Sequence, residues 1–116
     1  MIRIYHNSRC SKSRSALALL EQHGKPFEVI HYLETPPSAA ELKTLLSQLG
    51  MTARQLLRSG EDVYQELHLD NDSLDDATLI DAMAKHPRLI ERPIVVADGK
   101  AVIGRPPETV LGILKR

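Results

Sequence analysis

The sequence predicts an α/β domain with a four-stranded mixed sheet, running β-α-β, helical insert, β-β-α. Three observations carry this. Residues 2–33 read as strand, helix, strand within the length of one βαβ unit. The stretch from about 38 to 86 keeps a helical period, and the last third carries the two-residue hairpin signal Asp98-Gly99. With 116 residues, the chain is expected to be a single domain over 1–116 around one core, the insert included.

Residues 2–6, Ile-Arg-Ile-Tyr-His, alternate as a strand does. The short segment Asn7 to Lys12 leads into a helix with Ala16, Leu17 and Leu20 on its apolar side, stopped by Gly24 and Pro26. Phe27 to Leu33 reads as a second strand, parallel to the first. Ser38 and Glu41 match a capping box, ahead of Leu42, Leu45, Leu46 and Leu49 on one helix face. Thr52 and Gln55 form a second box, opening a short helix that carries Leu56, Leu57 and Arg58. Further helices are expected over Asp62 to Leu67 and Asp76 to Lys85, the latter ended by His86-Pro87. Ile94 to Ala97 and Ala101 to Ile103 are the hairpin strands. Pro106 and Pro107 start a last helix, with Glu108 in its first turn and Lys115-Arg116 suited to its C-terminal dipole. This is the order of a thioredoxin-like fold.

Fifteen Lys and Arg balance fifteen Asp and Glu. A chain of zero net charge with few aromatics has no global field to draw it to nucleic acid or an anionic membrane. No apolar run approaches the ~20 residues of a transmembrane helix, and no signal peptide is expected. The single cysteine cannot form an internal disulfide, which fits a reducing cytoplasm, and it excludes a Cys-only metal cage in one chain.

That cysteine is the centre of the chemical reading. Around Cys10 stand Arg9, Lys12 and Arg14, with no carboxylate between Met1 and Leu20. A thiol is a good nucleophile only as thiolate, and a helix N-terminus with cations beside it favours that form. The unpaired amides of the same helix turn make an anion site, which the hydroxyls of Ser11 and Ser13 extend. A lone cysteine can instead be a small, inert core residue. Its neighbours here are polar and would be left unpaired by burial, which favours a reactive thiol. Position 13 holds Ser where a C-x-x-C pair would place its second thiol, so an oxidised Cys10 must be resolved from outside, by glutathione or a glutaredoxin-type protein. His6, at the end of the first strand, is a candidate to assist ionisation or a partly buried residue with local hydrogen bonds. Arg58, Arg92 and Arg105 are each compatible with solvated arginines. Two of them flank the hairpin strands, and guanidinium groups are the usual bidentate partners of a tetrahedral oxyanion.

Together these residues resemble the glutaredoxin-linked arsenate reductase family (ArsC), in the wider group that includes the Spx transcriptional regulators. The resemblance rests on I-Y-H-N-x-x-C-x-x-S-R at 4–14, Y-L-E-T-P-P at 32–37, L-L-R at 56–58, H-P-x-L-I-E-R-P-I-V-V at 86–96 and G-R-P-P-E at 104–108. C-S-K-S-R at the thiol is similar to the short YfgD-like branch. The resemblance implies that Cys10 is the nucleophile, that His6 influences its ionisation, and that Ser13 and Arg14 support its turn. It implies that Arg58, Arg92 and Arg105 bind the oxyanion, with Ser11 and Lys12 beside them; Pro93 stands where thioredoxin-like proteins carry a cis proline, and its isomer is not read from sequence. The implied activity is reduction of arsenate to arsenite through a covalent Cys10 adduct. Glutathione is then a co-substrate, glutaredoxin a partner, and no metal or other cofactor is bound. A monomer is expected. Ser8-Arg9 departs from the Pro-Ala of other members, and Gly104 stands where some carry a second cysteine. The alternatives are a glutathione-dependent thiol–disulfide oxidoreductase and a Spx-like regulator of RNA polymerase. Against the latter stands the missing C-x-x-C switch.

Overall fold

The computed structural model describes residues 2–114. It divides into two compact units: a sheet unit up to Thr35 and again from Arg92 onward, and a helical unit Pro36–Glu91. In the sheet unit, β1 (Ile2–Tyr5), α1 (Ser11–His23) and β2 (Phe27–Ile30) form the βαβ unit, and β3 (Ile94–Ala97) and β4 (Lys100–Ile103) the hairpin. The sheet order is β2-β1-β3-β4, parallel between β1 and β2 and antiparallel at the other two pairs. It is the four-stranded mixed sheet that the sequence predicts.

The apolar alternation of β1 sets the register. Ile4 faces a core of Ala16 and Leu20 from α1, Val95 and Ala97 from β3, and Val110 and Leu114 from the C-terminal segment. Arg3 lies opposite Glu28 and pairs with it at 3.3 Å on the exposed edge. With both side chains about half exposed, that pair adds little stability. The hairpin turns on Asp98 and Gly99, both at positive φ (52° and 80°), as a type I′ turn requires.

In the sheet unit two expectations change. The second strand ends at Ile30, not Leu33: the His31 carbonyl accepts from the amides of both Glu34 and Thr35, which curls residues 31–35 into a turn. The last helix starts as a 3₁₀ turn, Pro107–Val110, before α6 (Leu111–Leu114). Lys115 and Arg116 lie outside the described residues.

In the helical unit, α2 (Ala39–Leu49) and α3 (Ala53–Leu56) both begin with complete capping boxes, Ser38 with Glu41 and Thr52 with Gln55. Then follow α4 (Asp62–Glu66) and α5 (Asp76–Lys85), and both α2 and α3 pack on α5. Leu57 and Arg58 are not helical. Leu57 forms a β-bridge with Ile90, and the Arg58 amide donates to the Leu89 carbonyl at 2.7 Å. No helix among the described residues is long and apolar enough to cross a membrane.

Candidate functional site

Cys10 is the N-cap residue of α1, in extended conformation (φ −97°, ψ 122°). Its carbonyl accepts the first helical bond, from Arg14, and its side chain caps nothing. The sulfur is therefore not spent on capping the turn, and Cys10 is buried, at 8% exposure. Amides of the first turn have no i−4 helical carbonyl to bond, which leaves donors next to the thiol. Ser11 and Lys12 sit exposed on that turn.

The loop from β1 to α1 is tied at four points. The Cys10 amide donates to the Asn7 carbonyl at 3.0 Å, and the Arg9 amide to Asn7 Oδ1 at 3.0 Å. Arg14 Nη1 donates to the Ser8 carbonyl at 2.9 Å, and the Asn7 amide to Ser13 Oγ at 3.0 Å. Asn7 is thus an organiser of the thiol loop that the sequence reading did not assign. An Asn before a strand-to-helix turn is the available signal, because its side chain closes such a turn on the backbone two residues on.

Ser13 is fully buried and His6 is 5% exposed, and they meet at 2.6 Å between Oγ and Nδ1. Burial here leaves Ser13 satisfied, contrary to the expectation that polar neighbours of the thiol resist burial. Its oxygen accepts from the Asn7 amide, and either its hydrogen or its second lone pair meets His6 Nδ1. Which of the two donates follows the tautomer of His6. Burial holds its pKa below the ordinary 6.5, helped by His31 and Arg14, against the opposing hydrogen bond at Ser13. The lowered pKa favours the neutral ring, and the bond to Ser13 ties that ring to the turn. The local hydrogen bonding that the sequence allowed for is present. His31 packs edge-on against His6, with ring centroids 5.9 Å apart.

Arg105 reaches the thiol from the far end of the chain. Its Nη2 donates to Cys10 Sγ at 3.7 Å, and its Nε donates to the Arg92 carbonyl at 2.7 Å. The Arg92–Pro93 and Arg105–Pro106 peptide bonds are both cis. The hairpin holds them together: the Gly104 amide donates to the Pro93 carbonyl at 2.8 Å. A Cβ at position 104 would stand 2.8 Å from Pro93 Cγ, so this backbone has no room for a side chain there. A side chain there, cysteine included, would require Pro93 to shift.

Arg58 belongs to the helical unit, where it pairs with Glu61 (3.6 Å) and Glu91 (3.5 Å) while only about one-fifth exposed. Within the sheet unit the structure brings together Cys10, His6, Ser13, Arg14, Arg92 and Arg105, each through bonds of the thiol loop or the hairpin ends. No group of three or more His, Cys, Asp or Glu suited to hold a metal ion occurs among the described residues.

Residues 5–113 match the sequence model of the ArsC family. The chain is 58% identical over 114 residues to "Uncharacterized protein YfgD" of Escherichia coli (strain K12), covering 97% of this chain and 96% of that one. It is 53% identical over 114 residues to an "Arsenate reductase" of Neisseria meningitidis serogroup B (strain ATCC BAA-335 / MC58), covering 97% of each. Among solved structures, "Arsenate reductase from Vibrio cholerae" superimposes with a TM-score of 0.94 at 56% identity, covering 97% of this chain and 96% of that chain.

Proposed function

Because the chain belongs to the ArsC family, we propose that it reduces arsenate to arsenite through Cys10. The observation that carries this reading is the Arg105 guanidinium donating to the Cys10 sulfur at a helix N-terminus. One place then offers a nucleophile, a fixed positive charge and unpaired amides, which is what a thiol attacking an oxyanion needs.

In this mechanism the Cys10 thiolate attacks arsenic(V), and one arsenate oxygen leaves as water after taking up protons. The S–As adduct keeps its negative oxygens near Arg105 and the first-turn amides, whose donors need no rearrangement as charge builds. Arg92 and Arg58 enter the same role by family resemblance, with Lys12 and the Ser11 hydroxyl beside the first turn. Glutathione then enters, and a sulfur–sulfur bond forms between it and Cys10. The electron pair of the broken S–As bond passes to arsenic, giving arsenite. A glutaredoxin thiol clears the mixed disulfide and returns Cys10. The chain itself binds no metal, flavin or nicotinamide in this scheme, and it acts as a monomer. The cytoplasm, where thiols are kept reduced, is the compartment that suits it.

The test is arsenite formation from arsenate with glutathione and glutaredoxin, for wild type and Cys10→Ser. Turnover by wild type only is expected. Equal rates for the two would overturn the reading. An Arg105→Lys variant that reduces glutathionylated substrates normally, with no arsenate turnover by wild type, would favour a thiol–disulfide oxidoreductase instead.

A further inference from the structure

Two short motifs of the helical unit, L-L-R at 56–58 and L-I-E at 89–91, meet at one antiparallel bridge, Leu57 with Ile90. The Arg58 amide donates to the Leu89 carbonyl at 2.7 Å, and the Glu91 amide to the Leu56 carbonyl at 2.9 Å, one bond on each side of the bridge. Side chains alternate along bridged chains. Leu57 and Ile90 therefore turn to one face, and Arg58 and Glu91 to the other as diagonal neighbours. Leu56, Leu57, Leu89 and Ile90 are all buried, which pins this register. The apolar residues of both motifs thus set one guanidinium beside one carboxylate.

The pair is well enclosed. Arg58 Nε lies 3.5 Å from Glu91 Oε1, and Nη1 lies 3.6 Å from Glu61 Oε2, with all three side chains less than a third exposed. Arg3–Glu28 and Lys85–Asp81, by contrast, leave more than half of each side chain in water, where an ion pair adds little. Glu61 stands at the N-cap of α4, yet its side chain caps nothing and meets Arg58 instead.

We propose that Glu91, supported by Glu61, is a positioning residue that fixes the Arg58 guanidinium in one orientation before an oxyanion is bound. The proposal rests on the reading of Arg58 as one of the arginines that hold arsenate. A free arginine gives up extensive rotamer freedom when it clamps an anion, and one already held in place gives up less. The planar fork carries five donors, so contacts at Nε and Nη1 do not exhaust it. Carboxylates also repel an oxyanion, which opposes the gain from ordering. Because the Glu91 charge is met by the guanidinium at 3.5 Å, its field is largely cancelled at a distance, and ordering is the larger effect. The sign of the change in affinity separates the two.

The test pairs NMR of the full ¹⁵N-labelled chain with steady-state kinetics. Wild type should show an Arg58 Nε–H resonance that exchanges slowly with water, and Glu91→Ala should lose it while its amide spectrum stays dispersed. In the arsenate assay Glu91→Ala should raise KM for arsenate about tenfold, as for one lost charge-assisted contact. Its kcat and its KM for glutathione should be unchanged, the pattern of a lost binding contact. Glu91→Gln, which keeps the shape and an acceptor oxygen, should recover most of the affinity. Glu91 also neighbours Arg92 in the chain, so the Glu91→Ala change is repeated in an Arg58→Ala background, where no further effect is expected. An unchanged or lowered KM for arsenate, Glu91→Gln no better than Glu91→Ala, an equal loss in the Arg58→Ala background, or the same Arg58 exchange in wild type and Glu91→Ala would each overturn the proposal. The NMR arm involves no arsenate. An Arg58 resonance lost in Glu91→Ala, from a chain that turns over no arsenate, would sink the reductase reading and leave Glu91 as the residue that holds Arg58.

Discussion

Arg105 bonds the Cys10 sulfur with Nη2 and the Arg92 carbonyl with Nε, so one guanidinium fork joins the thiol to the start of the hairpin. A lysine at 105 keeps the charge but gathers its three donors on one nitrogen, without the planar fork that spans the two acceptors. Arg105→Lys is expected to lower kcat/KM for arsenate by about tenfold to a hundredfold, the loss of one charge-assisted bond. Steady-state rates at saturating thiol check this.

Ser13→Ala removes the oxygen that serves both His6 Nδ1 and the Asn7 amide. Both are left without that partner beside a fully buried position. The variant should lose about 1–3 kcal/mol of stability for each buried group left unsatisfied. A urea denaturation series reads it, with an unchanged slope expected if the fold is intact.

The pH dependence follows from His6. Burial first, then His31 and Arg14, set its folded pKa below the ordinary 6.5. Between the two values the unfolded chain binds more protons than the folded one, so stability rises with pH there. The contribution is fully present above about pH 6.5 and is lost as pH falls through the folded value. Urea midpoints should decline below pH 6.5 in wild type. His6→Asn, which keeps a polar group toward Ser13 but does not titrate, should show a shallower decline.

Gly104→Ala places a Cβ 2.8 Å from Pro93 Cγ, with Val110 at 3.4 Å and Ala16 at 3.5 Å. The proline ring cannot swing aside as a flexible side chain would. A loss of about 1–3 kcal/mol is expected, the usual cost of overpacking. Because residue 105 is next in the chain, thermal melts should be paired with the arsenate assay, and both are expected to fall.

Much of this architecture is legible in local signals. Asp98-Gly99 names its own turn, Ser38 with Glu41 and Thr52 with Gln55 name their helix starts, and Gly24 with Pro26 ends α1. Such features depend on a few adjacent residues. Leu33 misleads because Tyr32 is buried and apolar period continues past Ile30, while the deciding event is a carbonyl at His31 shared by two amides. The buried state of Ser13 is also hidden, since its partners lie six and seven residues upstream in a run of polar side chains. The pairing of Cys10 with Arg105 spans 95 positions, and only family resemblance pointed to it.

The account stands most directly on Cys10 as the sulfur that is oxidised while arsenic is reduced. The deciding measurement is intact-protein mass spectrometry after arsenate and glutathione are added without glutaredoxin, alongside arsenite released. Cys10 should become glutathionylated in equal amount to the arsenite formed, and Cys10→Ser should yield neither. Arsenite from the Cys10→Ser chain, or arsenite without modification of Cys10, would contradict it.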